Sequence, residues 1–179
     1  LSVKPPAGVQ LRPMAAGQWP GVERIYRQGV AGGLATFEST VPSWEDFSAR
    51  KIAQLGLVAV DRDGAVIGWI AASPVSARWA YRGVIEHSVY VDAAQAGRGV
   101  GTALLGALGA RARARGYWTI QCAIFAENHA SRALHRKAGF REVGCRERIA
   151  QAPAGPLAGQ WIDTVLYELR LESGAAAET

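Results

Sequence analysis

Cysteine is scarce in this sequence: two residues, Cys122 and Cys145, among 179. So few exclude a disulfide framework and give no metal-ligand cluster by spacing, and no metal is expected. Long apolar runs are missing too. No stretch approaches the roughly 18–20 residues that span a bilayer, and the opening LSVKPPAGVQ has no hydrophobic signal core, so a cytoplasmic protein working away from membranes is expected. No low-complexity tract breaks the chain, and the nucleotide-binding loop GxxxxGK[ST] is absent. What remains is a chain of 49% apolar composition, the size of one α/β (α+β) domain with a loose leader, a core over residues 9–170 and a loose C-terminal tail, SGAAAET.

The formal charge of +5 and pI ≈ 9.6 raise the question of nucleic acid. Arg111, Arg113 and Arg115 answer it: at about 100° per residue they fan around a helix and form no phosphate-tracking stripe. Nucleic acid is not an expected partner, whereas a small anion is drawn by the same positive field.

The stretch Ile85–Arg113, IEHSVYVDAAQAGRGVGTALLGALGARAR, organises the rest. A strand runs into a loop with Gly97, Gly99 and Gly101, then into a helix expected over Val100–Arg115 and stopped by Gly116. Such a loop points successive N–H groups at one place beside the positive end of a helix dipole, which makes a cradle for a pyrophosphate. A glycine loop serves as well for a plain strand-to-helix turn, so the flanking residues must decide.

Upstream, Val9–Arg12 reads as a short strand ended by Pro13, and Trp19, Val22, Ile25, Tyr26, Gly29 and Val30 share one helical face. The loop GGLATFEST follows, with Phe37 and Glu38. Ser43 caps a second helix expected to reach Gln54, with Asp46 three residues on. Leu57–Val60 and Ala65–Ala72 form a hairpin across DRDG. In the strand Val84–Val91, Glu86 shares a face with Val84, Ser88 and Tyr90, opposite Ile85, His87, Val89 and Val91. A mid-strand carboxylate needs either an ion pair or a task. Trp118–Phe125 is a further strand, Asn128 caps a helix over Ala130–Lys137 ended by Gly139, and Phe140–Ile149 and Trp161–Leu169 close the sheet around the loop QAPAGPLAG.

The glycine stretch resembles [QR]xxGx[GA], the coenzyme A pyrophosphate loop of GNAT acetyltransferases. Gly99 and Gly101 meet its last positions, while Ala96 stands where that family has Gln or Arg, with Gln95 one residue early. The departure removes a side-chain contact and leaves the backbone cradle. A second segment, Asn128 to Phe140, is similar to the family's NxxSxxLHxxxGF, and the order β–α–α–β–β–β–α–β–α–β–β is the family's from Leu11 to Arg170. Finer features resemble the phosphinothricin N-acetyltransferase-like branch: Thr36-Phe37-Glu38, the strand from Tyr81 to Val91, Leu134-His135, and Gly159-Gln160-Trp161-Ile162-Asp163. The loop Ala150–Ala158 departs from the basic, aromatic segment usual there.

The resemblance implies a mixed, mostly antiparallel twisted sheet flanked by helices, acetyl-CoA as co-substrate, and a homodimer. It implies cofactor contacts from Val89, Tyr90 and Val91, from Ala96, Gly97, Arg98, Gly99, Val100, Gly101 and Thr102, and from Asn128 and Ser131. Direct attack by a primary amine calls for a base, and Glu86 is the candidate. N–H groups around Val89–Val91 are placed to receive the oxyanion. His135 stands where many relatives have a tyrosine acid, with a structural helix histidine as the other reading. His87 and His129 are read as structural. Arg78, Tyr81 and Arg82, with Phe37 and Glu38, are expected to hold a small acceptor of the phosphinothricin or methionine sulfoximine type, an arginine fork suiting a carboxylate. Two other readings of the fold are a peptide or protein N-terminal acetyltransferase with an open groove, and an acyl-CoA-binding sensor without turnover.

Overall fold

The computed structural model describes residues 4–171; the first three residues of the expected leader and the expected C-terminal tail lie outside them. Seven strands and four helices alternate in the order read from the sequence. They are β1 (Gln10–Pro13), α1 (Trp19–Gly32), α2 (Trp44–Ala49), β2 (Leu57–Val60), β3 (Val66–Pro74), β4 (Val84–Val91), α3 (Val100–Ala114), β5 (Thr119–Phe125), α4 (His129–Lys137), β6 (Arg141–Gln151) and β7 (Trp161–Arg170). Most boundaries shift by one or two residues from those expected, and one shifts further: α2 stops at Ala49, and a short 3-10 turn, Ala53–Leu55, follows where the helix was expected to reach Gln54. Ser43 does cap α2, its hydroxyl oxygen accepting from the Asp46 N–H at 3.1 Å.

The strands form one sheet in the order β1-β2-β3-β4-β5-β7-β6, antiparallel everywhere except between β4 and β5. Apolar side chains alternate along the strands and feed a core on each face. Ile70, Ile85, Ile120, Leu104 and Leu108 meet beneath α3; Val22, Ile25, Phe47, Val58 and Trp69 meet beneath α1 and α2. Each such side chain, fully buried, contributes about 1.5–3 kcal/mol of transfer free energy.

The parallel pair carries the consequence for function. β4 has eight residues and β5 seven, yet they pair only at Val84↔Thr119, Ile85↔Ile120 and Glu86↔Gln121. Beyond Glu86 they part, β4 continuing along β3 to Val91 while β5 stays paired on its other edge with β7, from Thr119↔Arg170 to Phe125↔Thr164. A sheet divided this way has a gap in its middle, with unpaired backbone on each side.

Candidate active site

The gap opens into a groove of about 1060 Å³ lined from both faces of the sheet. Alternation along β4 settles which backbone groups face it. Val84 O accepts from Val75 N, and Asp92 N–H donates to Ile67 O, so the even-numbered positions turn their backbone toward β3. The odd-numbered N–H groups, those of Val89 and Val91, face the gap where β5 has left. Tyr90, grouped with them in the sequence reading, turns its backbone to β3 and gives the groove its side chain instead. Its hydroxyl donates to Ala35 O at 3.2 Å.

On the α3 side, Gly97 and Gly99 hold φ of 76° and 83°, values a side chain rarely tolerates, and Gly99 is the N-cap of α3. The N–H groups of Val100, Gly101 and Thr102 begin the helix without intrahelical acceptors and lie along the groove. Gly101 lets the helix start lie against α4: a Cβ there would stand 2.9 Å from Leu134 Cδ2. A helix start with free N–H groups behind two left-handed glycines has the geometry that suits an anion. Ala96 lines the groove there, whereas Arg98 does not; the Arg98 guanidinium donates to Gln95 Oε1 at 2.6 Å. Asn128 and Ser131 line the groove from α4, but the Asn128 side chain is already engaged. Its Oδ1 accepts from Ser131 N at 3.0 Å and its Nδ2 donates to Leu34 O at 2.9 Å. Asn128 and Tyr90 thereby hold the α1–α2 loop from opposite sides of the gap.

On the α1–α2 side, Glu86 is exposed to the groove. The ion pair that would explain a mid-strand carboxylate is absent among the described residues; its contact is Gln121 Nε2 donating at 3.4 Å. Glu38 and Phe37 line the same end, the Phe37 ring 4.5 Å from that of Phe125. Leu157 and Ala152, from the loop that departs from the family pattern, complete that apolar cluster with Ile162. Arg78, Tyr81 and Arg82 are not brought to the groove. Arg82 lies over the Trp79 and Trp118 rings at 4.3 and 5.2 Å and donates to Trp79 O, and Arg78 lies over Tyr81 at 5.8 Å. The cations that do line the groove are Lys51, Lys137 and Arg146, none of them singled out from the sequence. Lys51 and Arg146 come from α2's end and from β6, distant in sequence from any motif.

Three residues at the base of the groove, His87, Cys122 and His135, place potential ligand atoms within 4.8 Å of one another, a grouping that spacing in the sequence did not show. Hydrogen bonds commit the two imidazoles to each other. Ser131 O can only accept, so His135 Nδ1, 2.7 Å away, carries the proton and Nε2 carries a lone pair. His87 Nε2, at 3.3 Å, then donates to it. His87 Nδ1 is left buried without a partner. Burial, and then the neighbouring His135, push His87 well below the ordinary imidazole range; burial lowers His135 as well. Burial also raises the Cys122 thiol, keeping it protonated.

A split parallel pair, an N–H cradle at the following helix and a free carboxylate on the splayed strand define an acyltransferase that works on a coenzyme A thioester. The comparisons carry this further: the model of the Acetyltransferase (GNAT) family matches residues 24–140, so the chain belongs to that family and is an acetyl-CoA-dependent N-acetyltransferase. It is 34% identical over 173 residues to an L-methionine sulfoximine/L-methionine sulfone acetyltransferase of Pseudomonas paraeruginosa, covering 93% of this chain and 97% of the relative. It is 35% identical over 161 residues to a phosphinothricin N-acetyltransferase of Alcaligenes faecalis, covering 87% and 79%. A solved GNAT phosphinothricin acetyltransferase from Sinorhizobium meliloti, in complex with AcCoA, superposes with TM-score 0.81 at 33% identity, covering 96% of this chain and 92% of that one.

Proposed function

We propose that the protein acetylates the primary amine of a small, free amino-acid-like acceptor of the phosphinothricin or methionine sulfoximine type, by direct attack on acetyl-CoA. The observation that carries the reading is Glu86: a carboxylate without an ion pair, on the strand that borders the gap, beside the bulky loop of Phe37 and Glu38. An α-ammonium of pKa about 8 must lose a proton before attack, and Glu86 accepts it, directly or through one water. The Val89 and Val91 N–H groups receive the oxyanion as it forms. The cradle of Gly97, Gly99, Val100, Gly101 and Thr102 holds the pyrophosphate, with Ala96 beside it. Acetyl-CoA supplies a thioester whose thiol, of pKa about 8.5, departs readily as an anion, so little is asked of a proton donor. His135 fits that economy: its N–H is spent on Ser131 O, and its role is to seat His87. A thiol as protonated as Cys122 is a poor nucleophile, which favours direct attack over an acyl-enzyme.

The same reading has the protein acting as a homodimer in the cytoplasm, with neither nucleic acid nor a membrane as partner. β6 is an exposed edge strand; Val143 and Ile149 on it are 43% and 46% exposed, and Trp161 at the start of the neighbouring β7 is 50% exposed, apolar surface that a second copy would cover. Among the described residues no helix is long and apolar enough to cross a membrane.

The test is thiol release from acetyl-CoA with phosphinothricin, methionine sulfoximine, other free amino acids and short peptides, with Glu86→Gln run in parallel. Turnover on the glutamate analogues that collapses in the variant supports the reading. Turnover confined to peptides moves the function to N-terminal acetylation, and acetyl-CoA raising the Tm with no turnover on any acceptor points to a sensor.

A further inference from the structure

An α-amino acid carries its ammonium and its carboxylate on one carbon, so a site that deprotonates the first must hold the second a few ångströms away. The arginine fork read from the sequence is turned outward onto Trp79, Trp118 and Tyr81. Of the three cations that line the groove, Lys137 belongs to α4 on the cradle side, and Arg146 stands on the exposed β6 across the gap from Glu86. Lys51 is on the side of the base. The next residue fixes it there: Ile52 N–H donates to Ala72 O at 2.8 Å, and Ala72 pairs with His87 while Ser73 pairs with Glu86. Lys51 is thus tied, through one strand, to the level of the base.

Its ammonium has no carboxylate in contact among the described residues. Lys51 is half-buried; its backbone N–H donates to Ser48 O at 3.1 Å, while its ammonium, 5.4 Å from the centre of the Phe47 ring, makes neither an ion pair nor a hydrogen bond among the described residues. Burial lowers its pKa, opposed next by the charge of Glu86, which places the two groups in each other's field without contact. An ammonium partly withdrawn from water and unpaired favours any anion that can reach it.

We propose that Lys51 binds the α-carboxylate of the acceptor, so that a free carboxylate beside the amine is a requirement of the site. The inference rests on the amino-acid reading above and sharpens it. A peptide N-terminus presents a neutral carbonyl at that position and a simple amine presents nothing, so both forgo the contact. Glu86 and Lys51 together then sort acceptors by charge pattern: a cationic amine to the carboxylate, an anionic group to the ammonium.

The experiment measures kcat and KM for methionine sulfoximine and for its carboxamide with the wild-type protein, Lys51→Met and Lys51→Arg, alongside short peptides. Stabilisation by acetyl-CoA serves as the check on folding. The expected result is that Lys51→Met raises KM for the acid by roughly 10–100-fold with kcat within about threefold, leaves the carboxamide unchanged, and is largely rescued in Lys51→Arg. Wild-type turnover of the acid with KM unmoved in Lys51→Met overturns the role of Lys51 and leaves the acceptor class standing. An equal loss of kcat on acid and carboxamide also overturns it, assigning Lys51 to the support of Glu86. A wild-type protein inert on the acid and active on peptides overturns the acceptor class and this inference together.

Discussion

The two walls of the groove are built in different ways. The wall proposed for the cofactor is nearly continuous in sequence, from Val89 through Thr102 with one turn of α4 added, and the groups it offers are backbone N–H groups aimed by φ values and a helix start. The wall proposed for the acceptor draws Glu86 from β4, Phe37 and Glu38 from the α1–α2 loop and Lys51 from beyond the end of α2, and the groups it offers are side chains. Backbone-made sites tolerate changed side chains, which is why Ala96 can stand in the cradle without dismantling it. Side-chain-made sites change with each loop, and specificity is free to move there while the chemistry stays put.

That contrast can be broken at several points. Glu86→Gln removes the proposed base and keeps the shape: kcat should fall by roughly 10²–10³-fold while stabilisation by acetyl-CoA is kept, read from steady-state rates and Tm. Loss of cofactor binding in this variant would mean the walls are not separable. Gly99→Val forces a β-branched residue into the left-handed region, at about 1–2 kcal/mol, and the loop relaxes away from its cradle shape. KM for acetyl-CoA should rise by roughly 5–30-fold, with the ranking of acceptors unaltered. Phe37→Ala removes the ring packed on Phe125, so KM for the acceptor should rise by roughly 3–10-fold, with acetyl-CoA untouched.

The smallest effect concerns the seam between the walls. His87 faces His135 from α4 and Cys122 from β5, and the field of Lys51 adds to the lowering of its pKa. Folding depresses both imidazoles below their unfolded value, so the unfolded chain binds the extra protons. Stability from this source is intact above about pH 6.5 and is lost as pH falls below it, by at most about 1.4 kcal/mol per pH unit for each imidazole. The Tm should drop by a few degrees between pH 6.5 and 5, and His87→Gln should flatten that slope; an equally steep slope in the variant would place the titration elsewhere.

Local pattern carried most of the fold. Period-two alternation gave β4 its limits, Val84–Val91, and Ser43, Asn128, Gly116 and Gly139 marked helix ends through side-chain caps and left-handed turns. α2, expected to reach Gln54, ends at Ala49, and beyond it the chain leaves the helix, Ile52 N–H bonding Ala72 O of β3, a long-range contact that local pattern does not encode. Arg78 and Arg82 were read toward the acceptor because they precede β4, the strand of Glu86. Adjacent aromatic rings, Trp79 and the distant Trp118, hold the Arg82 guanidinium instead, a competition that spacing does not encode.

By itself the sequence determined the order of elements, the glycine cradle and the carboxylate on the central strand, since each depends on residues a few positions apart and on backbone preference. Only the tertiary structure decided where β4 and β5 part, which N–H groups that leaves facing the gap, that His87 and His135 are hydrogen-bonded to each other, and that Lys51 rather than Arg78 or Arg82 lines the groove with Glu86. Those facts depend on which strand β5 prefers along its length and on which distant side chains meet, and both are settled by packing the whole chain at once.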